Sequence, residues 1–216
     1  MSRCIMLACR AIENELLAAV TDAGSAFPIL FIPRETHVFA DKLRQCLQGA
    51  IDSLENVDHI LLPMGRCGNG TLGLVSKNAS LVLPRCDDCI DLLLSGDNLQ
   101  PERPNYAYFL TDGWLGSPSS IDAEYSYSLN RYGEKTGKDI IRMIYNHYQY
   151  FTFVDTGSYD VEAAQEKIMP LARTTGMGIN RINGPCGALK KMARLELDGN
   201  FVIVPPGESV GEGHFA

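Results

Sequence analysis

No stretch of this sequence is long and apolar enough to cross a bilayer, which takes roughly 20 residues. The apolar stretch at residues 5–9 has a faint likeness to a lipoprotein cleavage site, but it is shorter than the ~7–15 residues of a signal core. Charged residues follow it directly. We therefore expect a cytoplasmic protein without a membrane partner.

The chain also has no excess of positive charge. Its 19 Lys and Arg residues are outnumbered by 26 Asp and Glu, so the net charge is −7. Proteins that bind nucleic acid or an anionic surface carry basic patches and are usually basic overall. With 45% apolar residues the composition is that of an ordinary globular protein. We expect a small-molecule substrate and no nucleic acid.

A complete nucleotide-binding motif is missing. One glycine-rich turn, at residues 68–71, precedes a short helix that we predict at residues 72–76, and backbone N–H groups in such turns bind anions. However, the turn has neither the Gly-Lys-Ser/Thr of a Walker A loop nor a clean G-x-G-x-x-G pattern. Nucleotide binding is a minor alternative. The candidates for binding a cofactor here are Gly68, Asn69, Gly70 and Thr71.

Short apolar strands alternate with helical segments along the whole chain. Residues 27–32 are typical of a buried strand, and residues 38–54 have apolar side chains at helical spacing. Residues 121–145 are predicted to be mostly helical. The alternation predicts an α/β fold built from parallel βαβ units, with helices on both faces of the sheet. We expect two similar Rossmann-like halves with a cleft between them.

A polar segment containing Gly and Pro, residues 96–105, is the predicted linker. It separates an N-terminal α/β half, residues 1–95, which carries the cysteine site, from a C-terminal α/β half, residues 106–208. The remaining residues, 209–216, are polar and Gly-rich and are predicted to form a flexible tail. In folds of this kind, ligands bind beyond the carboxyl ends of the strands.

Seven cysteines are many for a cytoplasmic chain, and their odd number and irregular spacing argue against a disulfide framework. Cys4 and Cys46 fall on apolar faces and are expected in the core. Cys9, Cys67 and Cys89 lie at predicted strand ends. For these three residues, three interpretations stay open: plain burial, a nucleophilic or redox thiol, and a thiolate metal site with an open coordination position. The candidate metal ligands are Cys9, Cys67 and Cys89.

Three further polar residues are candidates for catalysis. Arg66 stands next to Cys67, and a positive charge lowers the pKa of a neighbouring thiol. His37 follows the second strand, where a histidine is suited to act as a fourth ligand or as a general base. Asp155 ends a later strand, and its carboxylate is a candidate for binding a substrate or for capping a helix.

Several short motifs occur from Cys9 almost to the end of the chain. They are Ala8-Cys9-Arg10, Pro33 with His37, Gly65-Arg66-Cys67-Gly68-Asn69-Gly70-Thr71, Pro84-Arg85 with Asp88-Cys89-Ile90, Thr111-Asp112-Gly113-Trp114, Tyr132-Gly133-Glu134, Asp155-Thr156-Gly157 and Val204-Pro205-Pro206-Gly207-Glu208. Together they resemble the DUF1638 family, a domain of unknown function. The cysteine-centred turn and the Asp-Cys-Ile segment are the most specific of them.

The resemblance implies little about activity, and more about the organisms and gene neighbourhoods in which such proteins occur. Members of the family occur mainly in anaerobic microbes, often near corrinoid-dependent methyl-transfer systems. By motif, Cys9, His37, Cys67 and Cys89 carry over to this chain. Cys86 and Cys186 match no mark of the family. The family pattern has a histidine before the Asp-Cys pair, where this chain has Asp87, so the ligand set stays open.

We therefore expect a metal-binding protein, leaning towards an enzyme of the transferase or lyase type. Zinc held by the three cysteines would activate a substrate thiol, and an iron–sulfur cluster would act as a Lewis acid. A non-catalytic accessory protein that serves a methyltransferase or a corrinoid protein is the alternative. No D-x-H-x-x-G motif is present, which disfavours a corrinoid bound through such a histidine. A thiol-redox protein that uses Cys86-x-x-Cys89 is the third hypothesis.

Overall fold

The computed structural model describes residues 3–96 and 99–215, and the elements below are those of the described residues. The strands are β1 (Cys4–Cys9), β2 (Ile29–Ile32), β3 (His59–Leu61), β4 (Ser80–Pro84), β5 (Ala107–Leu110), β6 (Tyr150–Asp155), β7 (Gly178–Asn183) and β8 (Phe201–Val204). The α-helices are α1 (Glu13–Ala23), α2 (Ala40–Asp52), α3 (Cys89–Leu94), α4 (Ile121–Tyr132), α5 (Glu134–Ile144), α6 (Val161–Thr175) and α7 (Gly187–Ala193).

These elements form two sheets, and the predicted α/β fold is confirmed. The larger sheet has the order β2-β1-β3-β4-β8, in which β8 is antiparallel to β4 and the other pairs are parallel. The smaller sheet has the order β5-β6-β7 and is wholly parallel. Five of the six residues of β1 are buried, as expected for a central strand covered on both faces.

The chain divides into two compact units. The first contains Met1–Pro101 together with Pro185–Ala216, and the second is Glu102–Gly184. The boundary near residue 101 lies within the predicted linker, of which residues 97 and 98 are outside the described residues. The predicted C-terminal half, residues 106–208, differs from the second unit because α7 and β8 return to the first unit. There β8 pairs with β4, with Leu81 opposite Val204.

Residues 209–215 also pack on the first unit, although a flexible tail was predicted there; residue 216 is outside the described residues. Ser209 forms an isolated antiparallel bridge with Val75. The backbone N–H of Val210 donates to the Leu74 carbonyl at 2.9 Å, and the Val210 side chain is buried. The polar composition of residues 209–216 predicts mobility. Instead, the buried Val210 side chain and its backbone hydrogen bond to Leu74 hold residues 209–215 in place.

The prediction that residues 121–145 are mostly helical is confirmed, although the segment forms two helices, because Gly133 adopts a φ of 79° that ends α4 and starts α5. The prediction of a short helix at residues 72–76 was wrong. Turns replace it, and in them the N–H of Gly73 donates to the Val210 carbonyl. Local composition did not reveal this long-range bond. No helix of the described residues is long and apolar enough to span a membrane.

The placement of β8 in the first sheet is testable with two neighbouring residues. Val204 is fully buried, whereas Ile203 is 52% exposed. Val204→Ala removes two buried methyl groups and should lower the free energy of unfolding by about 1–3 kcal/mol. Ile203→Ala should cost less than about 1 kcal/mol, since only strand propensity is lost. Urea unfolding measures both changes, and equal costs for the two variants would contradict the pairing of β8 described above.

Candidate functional site

The strand order brings three loops together at one edge of the larger sheet. β1, β3 and β4 are consecutive neighbours and run parallel, so their carboxyl ends lie side by side. Cys9 is the last residue of β1. Cys67 follows β3 by six residues, and Cys89 begins α3 after β4. The sheet therefore positions the three predicted ligands on adjacent loops, as expected for a site at the carboxyl edge.

Beyond the strands, the loops that carry Cys67 and Cys89 stay in backbone contact. The N–H of Arg66 donates to the Cys86 carbonyl at 3.0 Å, and the N–H of Cys67 donates to the Asp87 carbonyl at 2.7 Å. These bonds extend the pairing of β3 with β4 past the ends of the strands. The position of Cys67 is thus fixed relative to residues 86 and 87.

Gly65 permits this contact, because no side chain fits at its position. A Cβ atom there would lie 2.2 Å from the Cys86 carbonyl oxygen and 2.9 Å from the Asp87 carbonyl carbon. Both are backbone atoms, so relief would require the two loops to separate. The Thr71 hydroxyl closes the turn from the other side by donating to the Gly65 carbonyl at 3.0 Å.

Cys67 itself lies in the left-handed region, with a φ of 46°. The next two residues, Gly68 and Asn69, also have positive φ values of 62° and 70°. For a residue with a side chain, this conformation costs roughly 1–2 kcal/mol. The turn therefore holds the cysteine in a conformation that the local sequence does not favour, which is common at functional sites.

The same turn uses two of the four backbone N–H groups of the predicted anion site at residues 68–71. The N–H of Gly70 donates to the Cys67 carbonyl, and the N–H of Thr71 donates to the Arg66 carbonyl. No helix begins at residues 72–76, so the helix N-terminus that was predicted to follow the turn is not formed. A cofactor role for Gly68, Asn69, Gly70 and Thr71 stays a prediction.

Cys89 is fixed by the start of α3. The Asp88 carboxylate caps this helix by accepting from the N–H groups of Ile90, at 2.8 Å, and Asp91, at 3.3 Å. The Asp91 carboxylate accepts in turn from the N–H of Asp87 at 3.1 Å. The segment between Cys86 and Cys89 is thus a hydrogen-bonded turn, with both thiols at its ends.

The thiols interact with one another electrostatically. Burial raises the pKa of Cys9 to about 11 and that of Cys67 to about 12, and Asp88 and Cys9 contribute to the rise at Cys67. Burial also raises the pKa of Cys89 well above its usual range, with contributions from Cys67 and Cys9 among others. A thiolate at Cys9 would therefore disfavour ionisation of Cys67, and thiolates at Cys9 and Cys67 would disfavour ionisation of Cys89.

The three cysteines differ in how far they are exposed to solvent. Cys9 is 3% exposed, and its sulfur accepts from the N–H of Ala11 at 3.3 Å. Cys67 and Cys89 are only partly buried. Among residues 3–96 and 99–215, no three His, Cys, Asp or Glu side chains are already arranged to hold a metal ion. Binding one would require the thiols to turn towards a common point.

Charged side chains of both signs surround the thiols. The Arg66 guanidinium donates to the Asn69 side-chain oxygen at 3.0 Å and lies 4.0 Å from an Asp87 carboxylate oxygen. Arg34 lowers the pKa of Cys9 and Glu35 raises it, both less than burial does. Arg34 and Glu35 come directly after β2, whose Ile32 is opposite Cys9.

His37 lies in the 3-10 turn Arg34–Val38 that carries these two residues. Its Nε2 atom is buried, and burial lowers the pKa of the imidazole to about 4. The side chain is therefore neutral at physiological pH, which both a metal ligand and a general base require. The predicted role of His37 stays a prediction.

The remaining sequence candidates have other partners. Asp155 belongs to the second unit, where its carboxylate pairs with the Arg181 guanidinium at 2.5 Å and accepts from the N–H of Gly157. Its predicted catalytic role stays a prediction. Cys186 lies before α7, where burial raises its pKa, Glu15 adds to the rise and Lys190 opposes it. Cys4 is buried as predicted, whereas Cys46 is only partly buried.

The sequence interpretation undervalued Cys86. It is 4% exposed, and its thiol lies 3.5 Å from the Asp88 carbonyl oxygen, to which it donates. Cys67 raises its pKa, although less than burial does. The sequence indicated Cys86 only through its C-x-x-C spacing with Cys89. This spacing is weak evidence alone, because it does not show whether other thiols lie near the pair.

Fold and site together define an α/β protein with a group of thiols at the carboxyl edge of a mostly parallel sheet. The family described as "Protein of unknown function (DUF1638)" matches residues 31–193, more than half of the chain. The chain belongs to the DUF1638 family. His37, Cys67 and Cys89 lie within the matched range, and Cys9 precedes it. Neither a curated protein nor a solved structure matches the chain.

The backbone contact at Gly65 predicts a large effect of a small change. Gly65→Ala should lower the free energy of unfolding by at least about 2 kcal/mol, because the added methyl group meets the Cys86 carbonyl. Gly49→Ala is the matched control, since its Cβ atom meets nothing within 4 Å in the middle of α2. It should stabilise the protein by about 0.5–1 kcal/mol. If urea unfolding shows Gly65→Ala to be neutral, the contact is not as close as described.

The lowered pKa of His37 predicts a pH dependence with a definite sign. As pH falls from about 6.5 to about 4, the unfolded chain binds a proton at this histidine before the folded protein does. The free energy of unfolding should therefore fall over this range, by about 2–3 kcal/mol for this group. Urea unfolding of metal-free protein between pH 7.5 and pH 4.5 measures the change. His37→Gln is the control, and an equally steep fall in that variant would contradict the assignment.

Proposed function

We propose that this chain is a cytoplasmic metal-binding protein that holds a zinc ion or an iron–sulfur cluster through Cys9, Cys67 and Cys89 and acts there on a small molecule. The observation that carries the proposal is the convergence of these thiols from three neighbouring loops. Each loop follows a different parallel strand, and Cys9 contributes to the raised pKa of both Cys67 and Cys89. Separate loops at one sheet edge are a common origin of ligands in α/β proteins.

The electrostatics of the cluster favour a cation. Three neighbouring thiols and the Asp88 carboxylate would carry a concentrated negative charge if the thiols ionised. A bound zinc ion or iron–sulfur cluster would offset this negative charge. Its positive charge would stabilise the thiolates, and the protons of the thiols would pass to solvent. Thiolate ligands in turn select zinc or iron–sulfur clusters over hard cations such as magnesium.

The donor set also suits this group in number and accessibility. Cys9 is buried at the end of β1, whereas Cys67 and Cys89 are partly exposed. Three thiolates complete neither a tetrahedral zinc site nor a cubane cluster, so one position is left for another ligand. Such an open position is typical of catalytic rather than structural sites.

When bound, the metal or cluster supplies a Lewis acid that activates a substrate thiol or oxygen. The chain's own residues would bind the substrate and transfer protons. Arg66, on the Cys67 turn and about a third exposed, is positioned to bind a negatively charged part of the substrate. His37, neutral at physiological pH, is suited to accept a proton or to act as a further ligand.

The setting of this chemistry follows from the family resemblance. Relatives occur near corrinoid-dependent methyl-transfer systems of anaerobes, and thiols activated by zinc are natural methyl acceptors. We therefore propose a transferase- or lyase-type enzyme whose substrate is a small thiol or a methylated compound. Its protein partner would be a methyltransferase or a corrinoid protein.

The test is the metal content of anaerobically purified protein. Wild type should contain one zinc ion or about four iron atoms with matching sulfide. Cys67→Gly should lower the affinity for the metal at least about 100-fold. Because glycine adopts a φ of 46° without strain, that variant should stay within about 1 kcal/mol of wild type in unfolding free energy.

Cys46→Ala is the matched control, since it removes a thiol from α2 outside the cluster, and it should retain the metal. Wild-type protein that folds normally and binds neither zinc nor iron would overturn the proposal. Equal metal content in Cys67→Gly and wild type would overturn the assignment of the ligand.

A further inference from the structure

A fourth thiol accompanies the three proposed ligands. Cys86 belongs to the segment on which the Cys67 turn packs, since its carbonyl oxygen accepts from the N–H of Arg66 at 3.0 Å. It stands three residues before Cys89, at the other end of the turn that Asp88 and Asp91 hold in place. Cys86 is therefore flanked by Cys67 through the backbone contact and by Cys89 through the chain.

The Cys86 side chain is placed inside the cluster. It is 4% exposed, and it donates to the Asp88 carbonyl oxygen, which belongs to the residue just before Cys89. Cys86 also contributes to raising the pKa of the Cys89 thiol. By contrast, the neighbours that shift the pKa of Cys186, the other buried candidate, are Glu15 and Lys190, so its surroundings are different.

The spacing of Cys86 and Cys89 adds a chemical argument. Two cysteines separated by two residues, the second at the start of a helix, are a standard pair of thiolate ligands for tetrahedral metals. Sequence alone left this pair ambiguous, because C-x-x-C is also a redox motif. The structure adds Cys9 and Cys67 on two other loops at the same edge of the sheet, which a simple dithiol does not need.

Building on the function proposed above, we propose that Cys86 supplies the fourth thiolate of the site and occupies the coordination position that a substrate must take. On binding, each of the four thiols releases its proton to solvent and forms one sulfur–metal bond. A substrate thiol that enters would give its proton to the Cys86 thiolate, so that a bond between the metal and the substrate sulfur forms as the bond between the metal and the Cys86 sulfur breaks. The metal site is thus closed at rest, and Cys86 is the displaceable ligand.

Cobalt(II) is the probe, because its thiolate charge-transfer absorbance grows with the number of thiolates bound. Metal-free wild type titrated with Co²⁺ under anaerobic conditions should give the absorbance of four thiolates. Cys86→Ser should still bind cobalt but lose about a quarter of that absorbance, and Cys86→Ala should do the same. Cys46→Ser, the matched control outside the cluster, should equal wild type. Thermal unfolding confirms that each variant is folded.

Chemical rescue separates a ligand from a residue that only supports the fold. Added 2-mercaptoethanol should restore the missing absorbance in Cys86→Ser and leave wild type unchanged. Full absorbance in Cys86→Ser, or a loss that the added thiol does not restore, would overturn the role of Cys86 and leave the three-thiol proposal standing. Wild type that binds no cobalt would overturn both proposals.

Discussion

The site depends on the backbone contact between the Cys67 turn and residues 86 and 87. Two hydrogen bonds join these loops past the ends of β3 and β4, and Gly65 lets the chains approach to a distance that a methyl group would prevent. Buried backbone bonds of this kind contribute about 1 kcal/mol each and are costly to leave unmade. The relative positions of Cys67, Cys86 and Cys89 are therefore set by main-chain geometry.

The left-handed conformation of Cys67 follows from the same constraint. The turn must reverse direction within a few residues to reach Thr71, whose hydroxyl bonds back to the Gly65 carbonyl. A glycine at position 67 would make this reversal without strain, as Gly68 does at the next position. A cysteine there costs the fold roughly 1–2 kcal/mol, which is common at functional sites.

Sequence reasoning reached the fold where the signal is local. The strand predicted at residues 27–32 contains β2, and the helix predicted at residues 38–54 contains α2, because apolar runs and helical spacing are local patterns. The return of β8 to β4 and the burial of Val210 are long-range pairings that no local pattern encodes. The strand-end rule placed Cys9, Cys67 and Cys89 on neighbouring loops, which agrees with the order of the strands. It could not show that the Cys67 turn packs on Cys86, because that contact depends on how two loops meet.

The direction of the thiol pKa values favours the proposed metal site over a simple redox thiol. Cys89 is the first residue of α3, where the helix dipole lowers a thiol pKa, and Arg66 adds positive charge on the Cys67 turn. Nevertheless the pKa of Cys89 is raised, because burial and the neighbouring thiols and carboxylate outweigh both effects. A nucleophilic or redox cysteine needs a stabilised thiolate at neutral pH. The proposed cation would supply that stabilisation, and the buried carboxylate of Asp91, which contributes to the raised pKa of Cys86, adds to the need for it. Burial and the surrounding negative charge therefore suppress the reactivity of the free thiols. A bound metal would stabilise the thiolates that these surroundings disfavour.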